Sequence, residues 1–399
     1  MALKAAVKLQ VMDILAQHQG SYLSASQIAA RFSLVHSTSL PAAATSLDRI
    51  LRLLASHGLL SCCPLYTSPQ GHPTLTYALN SISHHLTNRN LTTSTTAIAA
   101  KDDNYIKDDI GIGIGIGIGI GIGTNTNTNT NNCSDNKIVD TNNSKKDGCV
   151  HVTKSQASLA PYLLLIQDPI FMQTLYDLHE AILDDVVPFT KLYGMPCFSY
   201  TEKDPRFNKL FNHGMVAHTE NFMPALLQIY TGFESTTSLV DVGGGIGISL
   251  SMITSQHPHI HGINFDLPHV IATAPEYPGV KHMGGDMFET IPKAQVIFMK
   301  RILHDWSDAH CLKILQRCYE ALPSKGKIIV VDILLPSEVE CTLEARMGYQ
   351  LDVLMLAYNE GGRERTKKEL EELATATGFI KLQVMCSVHG YSIVEVYKD

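Results

Sequence analysis

The chain has 399 residues, 45% of them hydrophobic, and carries 31 Lys and Arg against 38 Asp and Glu for a net charge of −7. At ~100–200 residues per domain it is long enough for two domains with sizeable cores, and its acidic balance gives no electrostatic pull toward nucleic acid or an anionic membrane surface. Its nine cysteines are odd in number and include no Cys-x-x-Cys pair, so free thiols in a reducing compartment are expected, not a disulfide framework or a zinc site.

The N-terminal MALKAAVKLQVMDILAQ is interrupted by Lys4, Lys8, Gln10 and Asp13, which leaves neither a signal-peptide core nor a membrane span. It is expected to form an amphipathic helix of a cytosolic protein. In LSASQIAARF, Ser24 or Ser26 is the start signal of a second helix, and in SLDRILRLLASHGLL, Ser46 is the candidate cap and Gly58 the stop of a third. The strand-like TLTYAL follows. Three helices and a β-wing over residues 1–91 make a winged-helix module. DNA binding is one use of such a module; a dimerisation platform needs only its apolar faces, and the lack of a basic excess favours the platform.

Residues 92–155 change composition abruptly, to GIGIGIGIGIGIG (Gly111 to Gly123) and then TNTNTNTNN. A two-letter repeat has no graded side chains with which to fill a core, and alternating glycine keeps backbone entropy high. A disordered insertion is expected; the alternative is an aggregation-prone strand with every Ile on one side. Ordinary complexity returns at Ala157, first as the helix-rich segment 156–230. Over 231–399, SLVDVGG, HGINFDL, AQVIFMK and KIIVVDILL are β-branched runs alternating with helical stretches. That pattern predicts an α/β domain with a parallel sheet covered on both faces. LQVMCSV and YSIVEVYK predict a terminal antiparallel pair turned at His389 and Gly390.

Two stretches contain Gly-x-Gly-x-Gly, and context separates them. The glycines serve a ligand only when a strand delivers them and a helix N-terminus follows. The run at Gly111 has neither. Around Gly243, the strand Leu239 to Val242 precedes, ISLSMITSQH can form the helix, and Asp266 ends the next strand at the distance where a carboxylate meets ribose hydroxyls.

LVDVGGGIG, GINFDLPHVIATAPEYPGVKHMGGDMF, FMKRILHDWSD, CYEALPSKGKIIVVD and NEGGRERT, in this order, resemble the plant caffeate-type small-molecule O-methyltransferases, which use S-adenosyl-L-methionine without a metal. The resemblance covers Leu3 to Arg89 and Ala157 to Asp399. It implies an N-terminal winged-helix dimerisation domain, a homodimer and a Rossmann-like methyltransferase domain, with 156–230 supplying substrate contacts. It places Gly243, Asp266, Asp286, Met287 and Lys300 around the cofactor, with Asp266 on the ribose, Asp286 and Met287 flanking the adenine, and Trp306 stacked near it.

The chemistry fits a phenolic substrate. A phenol titrates near pH ~10, so a neutral histidine is needed to accept its proton as the oxygen attacks the methyl carbon. The resemblance implies His304 in LHDWSD as that base. It also implies two acids, Asp332 in VVDILLP and Glu364 in GGRERT, to hold the imidazole's tautomer; which of the two touches the ring stays open. A histidine before Asp-Trp is by itself read as structural, and the two aligned acids turn that reading. DPRFNKLFNHGMVAH puts Phe207, Phe211, Met215 and His218 close to one helical face, an ordinary core stripe were it not that the resemblance places them, with Leu354, Met355 and Asn359, in the substrate pocket. Three features depart from the family pattern. Ile166 stands where a polar asparagine is common, Arg301 where an aromatic residue is usual, which puts a charge near the adenine, and the leading arm that family dimers exchange is expected to be absent. The rival readings are a non-catalytic family member that only binds or heterodimerises, and a winged-helix regulator with a ligand-binding tail.

Overall fold

The computed structural model describes residues 1–18, 21–32, 39–66, 73–87 and 158–399. The insertion at 92–155, with its Ile-Gly run, lies outside the described residues. Residues 2–16 form two helices, α1 (Ala2–Lys8) and α2 (Val11–Ala16), where the sequence suggests one. Gln10 breaks them apart with a left-handed φ of 54°. Ala2, Ala5 and Ala6 are buried from α1, Leu9 from the residue that caps it, and Val11, Met12, Ile14 and Leu15 from α2; these positions do not share one helical stripe, and the break turns each set inward.

Strand β1 (Leu23–Ser24) runs directly into α3 (Ala25–Ala29). Ser24, not Ser26, is the cap: its Oγ accepts from the Gln27 N–H while the Gln27 side chain accepts from the Ser24 N–H, a reciprocal capping box. Helix α4 (Leu40–Ser56) starts at Ser39, whose Oγ accepts from the Ala42 N–H. Ser46 is therefore an interior helical residue. Pro41 in the first turn, where a missing N–H costs nothing, is the signal that outranks it. The helix stops before Gly58, and β2 (Ser61–Leu65) and β3 (Thr74–Ala78) follow as an antiparallel pair with β1 on the other side of β3. This is the winged-helix arrangement expected of the segment.

Six helices come next: α5 (Ala160–Ile166), α6 (Pro169–Tyr176), α7 (Glu180–Leu183), α8 (Pro188–Tyr193), α9 (Cys197–Lys203) and α10 (Pro205–Ile229). Asp168 caps α6 and Asp204 caps α10, each accepting a backbone N–H of the first turn. Helix α5 packs on α10 at Gly214, where an added Cβ would sit 2.7 Å from Leu165 Cδ2. Tyr162 and Ile166 of the same helix line the cavity described below.

The sheet contains β4 (Ser238–Val242), β5 (His261–Asp266), β6 (Val280–Gly284), β7 (Val296–Lys300), β8 (Lys327–Asp332), β11 (Lys381–Val388) and β12 (Tyr391–Tyr397), in the order β11-β12-β8-β7-β4-β5-β6. From β8 to β6 the pairs are parallel; β12 and β11 add the antiparallel pair. Side chains alternate between faces as a strand requires. Ile297 and Met299 join a core with α13 (Asp308–Ala321) and α15 (Lys367–Ala376), while Val296 and Phe298 join another with α10, α11 (Ile248–Gln256) and α14 (Leu343–Tyr358). A short helix α12 (Pro268–Ile271) follows β5, and the two-residue strands β9 (Leu334–Leu335) and β10 (Arg365–Thr366) pair in parallel. Chain order reverses at β4, which lies between β5 and β7, so the crevice beside its C-terminal end is where such sheets hold ligands. Among the described residues no helix is long and apolar enough to cross a membrane.

Candidate active site

A cavity of about 480 Å³ opens at that crevice, lined by the residues that follow β4, β5, β6 and β7. In the loop after β4, Gly243, Gly245 and Gly247 have φ values of 68°, 59° and 89°, conformations that glycine adopts without steric cost. Gly244 is required by space: a Cβ there would overlap Asn264 Oδ1 and lie 2.7 Å from Asp241 Cγ. Asp266 closes β5 and fixes this loop, its two oxygens accepting from the Gly245 and Leu267 N–H groups at 2.7 Å each. Burial pushes its carboxyl above the usual carboxylate range.

Asp241, near the end of β4, is 2% exposed and its Oδ2 has no hydrogen-bond partner. Burial pushes it up to about 7 and pulls the neighbouring Lys300 down to about 8. Lys300 Nζ donates to Thr219 Oγ1 on α10 at 3.0 Å. On the other side, Asp286 is exposed and accepts from the Phe288 N–H at 2.8 Å. Met287, Phe288 and Trp306 form a flat apolar wall, with Trp306 edge-on to Phe288 (centroids 4.8 Å) and stacked on Phe198 (6.0 Å). Buried acceptors without donors, a glycine loop and a flat slot suit a ligand rich in hydroxyl and ammonium donors with a planar base, and S-adenosyl-L-methionine meets that description. Among the described residues no group of three or more His, Cys, Asp or Glu is placed to hold a metal ion.

His304 lies in the 3-10 turn Leu303–Asp305 and is 4% exposed. Its Nδ1 is 2.7 Å from Glu364 Oε1, while Nε2 is 3.6 Å from Asp305 Oδ1, too far for a hydrogen bond. Asp305 Oδ1 instead accepts from Asn359 Nδ2 at 2.7 Å. Pairing of β9 with β10 carries Glu364 to this point from the far end of the chain. The adjacent Arg365 pins the turn itself, donating to the Leu303 and Trp306 carbonyls at 2.8 and 2.7 Å. Behind Glu364, its N–H donates to Asp352 Oδ1 (2.9 Å), and Asp352 pairs with Arg49 of α4 (2.9 Å). The N-terminal helices are thus tied to the histidine. Burial holds His304 below the usual imidazole range, outweighing the upward pull of its acidic neighbours.

Of the two candidate acids, only Glu364 touches the imidazole. Among the described residues no hydrogen bond joins Asp332 to His304; Asp332 Oδ1 is buried without a partner, and burial pushes this group up to about 7. At the fixed end of β8, aspartate is one methylene shorter than the glutamate that would extend further. Neither Asp332 nor Glu364 lines the cavity, whereas His304 does.

The substrate side is partly as expected. Ile166, Phe211, Met215, Leu354, Met355 and Asn359 line the cavity. Phe207 and His218 do not: Phe207 is fully buried, edge-on to Phe171 (5.1 Å) and Tyr200 (5.9 Å), and His218 packs among Tyr162, Phe222 and Tyr391. Helix α10 is clasped by helices on one flank and by the sheet on the other, so its apolar stripe is wider than the cavity wall. The Arg301 charge, expected beside the adenine wall, lies over the Tyr391 ring at 6.0 Å. Sequence reasoning missed Asp241, Asp305, Asp352 and Arg49. Asp241 in VDVGGG and Asp352 in YQLDVLML were visible as lone charges in apolar runs; Arg49 carried no signal.

A family model described as an O-methyltransferase domain matches residues 175–380, and one described as an O-methyltransferase dimerisation domain matches residues 1–89. Caffeic acid 3-O-methyltransferase 1 of Populus tremuloides is 41% identical over 399 residues, covering 100% of this chain and 90% of the relative. Esculetin O-methyltransferase of Kitagawia praeruptora is 40% identical, with 100% and 91% covered. Among solved structures, human N-acetylserotonin methyltransferase in complex with SAM superposes with a TM-score of 0.55 at 20% identity, with 100% and 93% covered, which speaks to the fold alone. With both models matched and close relatives aligned along its full length, the chain belongs to the plant caffeate-type, S-adenosyl-L-methionine-dependent O-methyltransferase family.

Proposed function

We propose that this enzyme methylates a phenolic hydroxyl of a plant specialised metabolite, a phenylpropanoid, flavonoid or alkaloid, with His304 as general base, and that it acts as a cytosolic homodimer built on residues 1–91. The observation that carries the reading is the buried His304 whose Nδ1 is held by Glu364 at 2.7 Å while Nε2 has no hydrogen-bonded carboxylate. Relatives named for caffeic acid and esculetin, both phenols, support the substrate class.

When bound, S-adenosyl-L-methionine supplies a methyl carbon on a sulfonium, which needs only an oriented nucleophile. Asp266 would hold the ribose hydroxyls, the loop at Gly243 would let the backbone pass close to the cofactor, and Asp286, Met287 and Trp306, which line the same cavity, would frame the adenine. Lys300 braces the floor against Thr219. Phe211, Met215, Leu354 and Met355 hold the phenol flat and exclude water, and Asn359 acts through Asp305. His304 Nε2 takes the phenolic proton, and Glu364 fixes the tautomer by accepting from Nδ1–H and steadies the imidazolium. Asp332 contributes charge to the same buried group without touching it. Residues 156–230 supply the substrate wall and 231–399 the cofactor site, with 92–155 as an insertion between functional parts.

Two expected results follow from this arrangement. Gly244→Ala displaces the loop from Asn264 and Asp241, and calorimetry with S-adenosylhomocysteine should read a loss of about tenfold or more in affinity; unchanged affinity would show that the loop does not meet the cofactor. The pH profile follows from the histidine–glutamate pair. The working form is neutral His304 with Nδ1–H on ionised Glu364, and burial raises Glu364 to about 8. A proton entering the pair as pH falls disables Nε2 when the pair settles as imidazolium–carboxylate or as a carboxylic acid donating to Nδ1, and both are forms the short Nδ1–Oε1 contact favours. The rate should therefore rise with pH toward about 8 in the wild type. In Glu364→Gln the acid limb belongs to His304 alone and should move below the usual imidazole range, with a lower plateau. Measured kcat between pH 5.5 and 9.5 checks both; an acid limb that does not move in the variant would detach Glu364 from the base.

A further inference from the structure

One side chain of the N-terminal segment ends behind the base. Arg49, on α4, donates from Nε to Asp352 Oδ2 at 2.9 Å and from Nη2 to the backbone carbonyls of Asp352 and Gly362, the latter at 3.0 Å. Asp352 lies buried in α14 and with its other oxygen, Oδ1, accepts the Glu364 N–H at 2.9 Å. Gly362 belongs to the loop that wraps the His304 turn. There the Arg363 N–H donates to the His304 carbonyl at 2.8 Å, and a Cβ on Gly361 would sit 2.4 Å from Ser307 Cβ. One guanidinium therefore grips both the helix before this loop and the loop itself, just ahead of Glu364.

The same pair bears on charge. A buried carboxylate is costly to ionise; negative neighbours add to that cost and positive ones reduce it. Burial is the main force that raises Glu364, Asp352 raises it further, and Arg301, Arg365 and Arg49 lower it. His304 touches the carboxylate directly, and Asp305, Asp332 and Tyr391 also act on it. Of these groups only Arg49 comes from the N-terminal segment. We infer that Arg49 and Asp352 are positioning residues for methyl transfer, an ion pair that fixes Glu364 in place and balances the charge around its carboxylate, so that the N-terminal segment takes part in the reaction and is not only an assembly platform. The inference rests on the base proposed above, His304 held by Glu364. Its direction follows from the working form, in which Glu364 is ionised. Without the Arg49 charge, Asp352 stands unbalanced beside that carboxylate, which then takes a proton at higher pH; without the Asp352 charge, Arg49 stands unbalanced and the carboxylate keeps its charge to lower pH.

The test is the pH profile of kcat, over the range used for Glu364→Gln and with the fastest phenol of a mono- and dihydroxylated panel. Arg49 lines a second cavity of about 360 Å³, so shortening it opens onto existing space. Arg49→Gln should move the acid limb up by about half a pH unit or more, a loss of kcat of about threefold on the slope that is regained at high pH, with KM nearly unchanged. Arg49→Lys, which keeps the charge, should return the limb most of the way. Asp352→Asn should move it down, and the double variant should bring it back toward the wild type. A pair with a merely structural role would lower the plateau in both single variants without opposed movements of the limb. A limb that stays in place in Arg49→Gln, or moves the same way in Arg49→Gln and Asp352→Asn, would overturn the inference; if Arg49→Gln does not fold, Asp352→Asn decides, and its limb must fall. Glu364→Gln separates the two possible failures. A limb that moves there but in neither Arg49→Gln nor Asp352→Asn strikes this pair and leaves the base, whereas a limb unmoved in Glu364→Gln strikes the base and this inference with it.

Discussion

Replacing His304 by glutamine should lower turnover by about a hundredfold or more while leaving the binding constant of S-adenosylhomocysteine unchanged. The side chain that replaces it can still accept a hydrogen bond but cannot carry away a proton. In the proposed arrangement Asp266 and the glycine loop hold the cofactor, and among the described residues no hydrogen bond joins His304 to either, so binding and catalysis should separate cleanly. The residual rate should climb with pH as the phenol ionises unaided, toward its ordinary range near pH ~10. Rates from pH 5.5 to 10 on both proteins check this. A variant that matched the wild type at neutral pH would mean that positioning alone suffices for transfer, and the roles given to His304 and Glu364 would have to be withdrawn.

The second large effect is expected at Asp266. Its alanine variant removes a charged acceptor worth roughly 1.5–3 kcal/mol to the ribose hydroxyls, which corresponds to a loss of about 10- to 150-fold in cofactor affinity. It also frees the Gly245 and Leu267 N–H groups that the carboxylate now accepts, so the loop after β4 should loosen and deepen the loss. Asp266→Asn, which keeps an acceptor for the loop, should fall between the two. Calorimetric titration reads all three, and an unchanged alanine variant would remove the end of β5 from the site.

How much of this was legible depended on how local each signal was. Strands β4, β5, β7 and β8 announce themselves as β-branched runs, and Gly243 stands out because a strand precedes it and a helix follows. Strand β6 hides because VKHMG is polar and partly exposed at the sheet edge, so neither alternation nor a buried run marks it. Ser46 misled because a serine before an apolar stripe looks the same whether it starts a helix or lies within one; Pro41 was the discriminating residue. Likewise Phe207 and His218 carry the spacing of a pocket wall, but spacing fixes a helix face and not what that face meets. Glu364 was found by resemblance, yet its contact with His304 depends on the two-residue pairing of β9 and β10, and Asp352, which accepts the Glu364 N–H, is held by Arg49 from 303 residues away in sequence. Contacts of that range leave no local pattern to read.

The most direct measurement is the fate of an isotopically labelled methyl group. Wild-type enzyme, methyl-labelled S-adenosyl-L-methionine and a panel of mono- and dihydroxylated aromatics, amines included, should yield a labelled aryl methyl ether, one label per cofactor consumed, and the His304→Gln variant should yield about a hundredth as much or less in the same time. Label recovered on nitrogen, or a cofactor that binds and is never consumed with any of the phenols, would contradict the account.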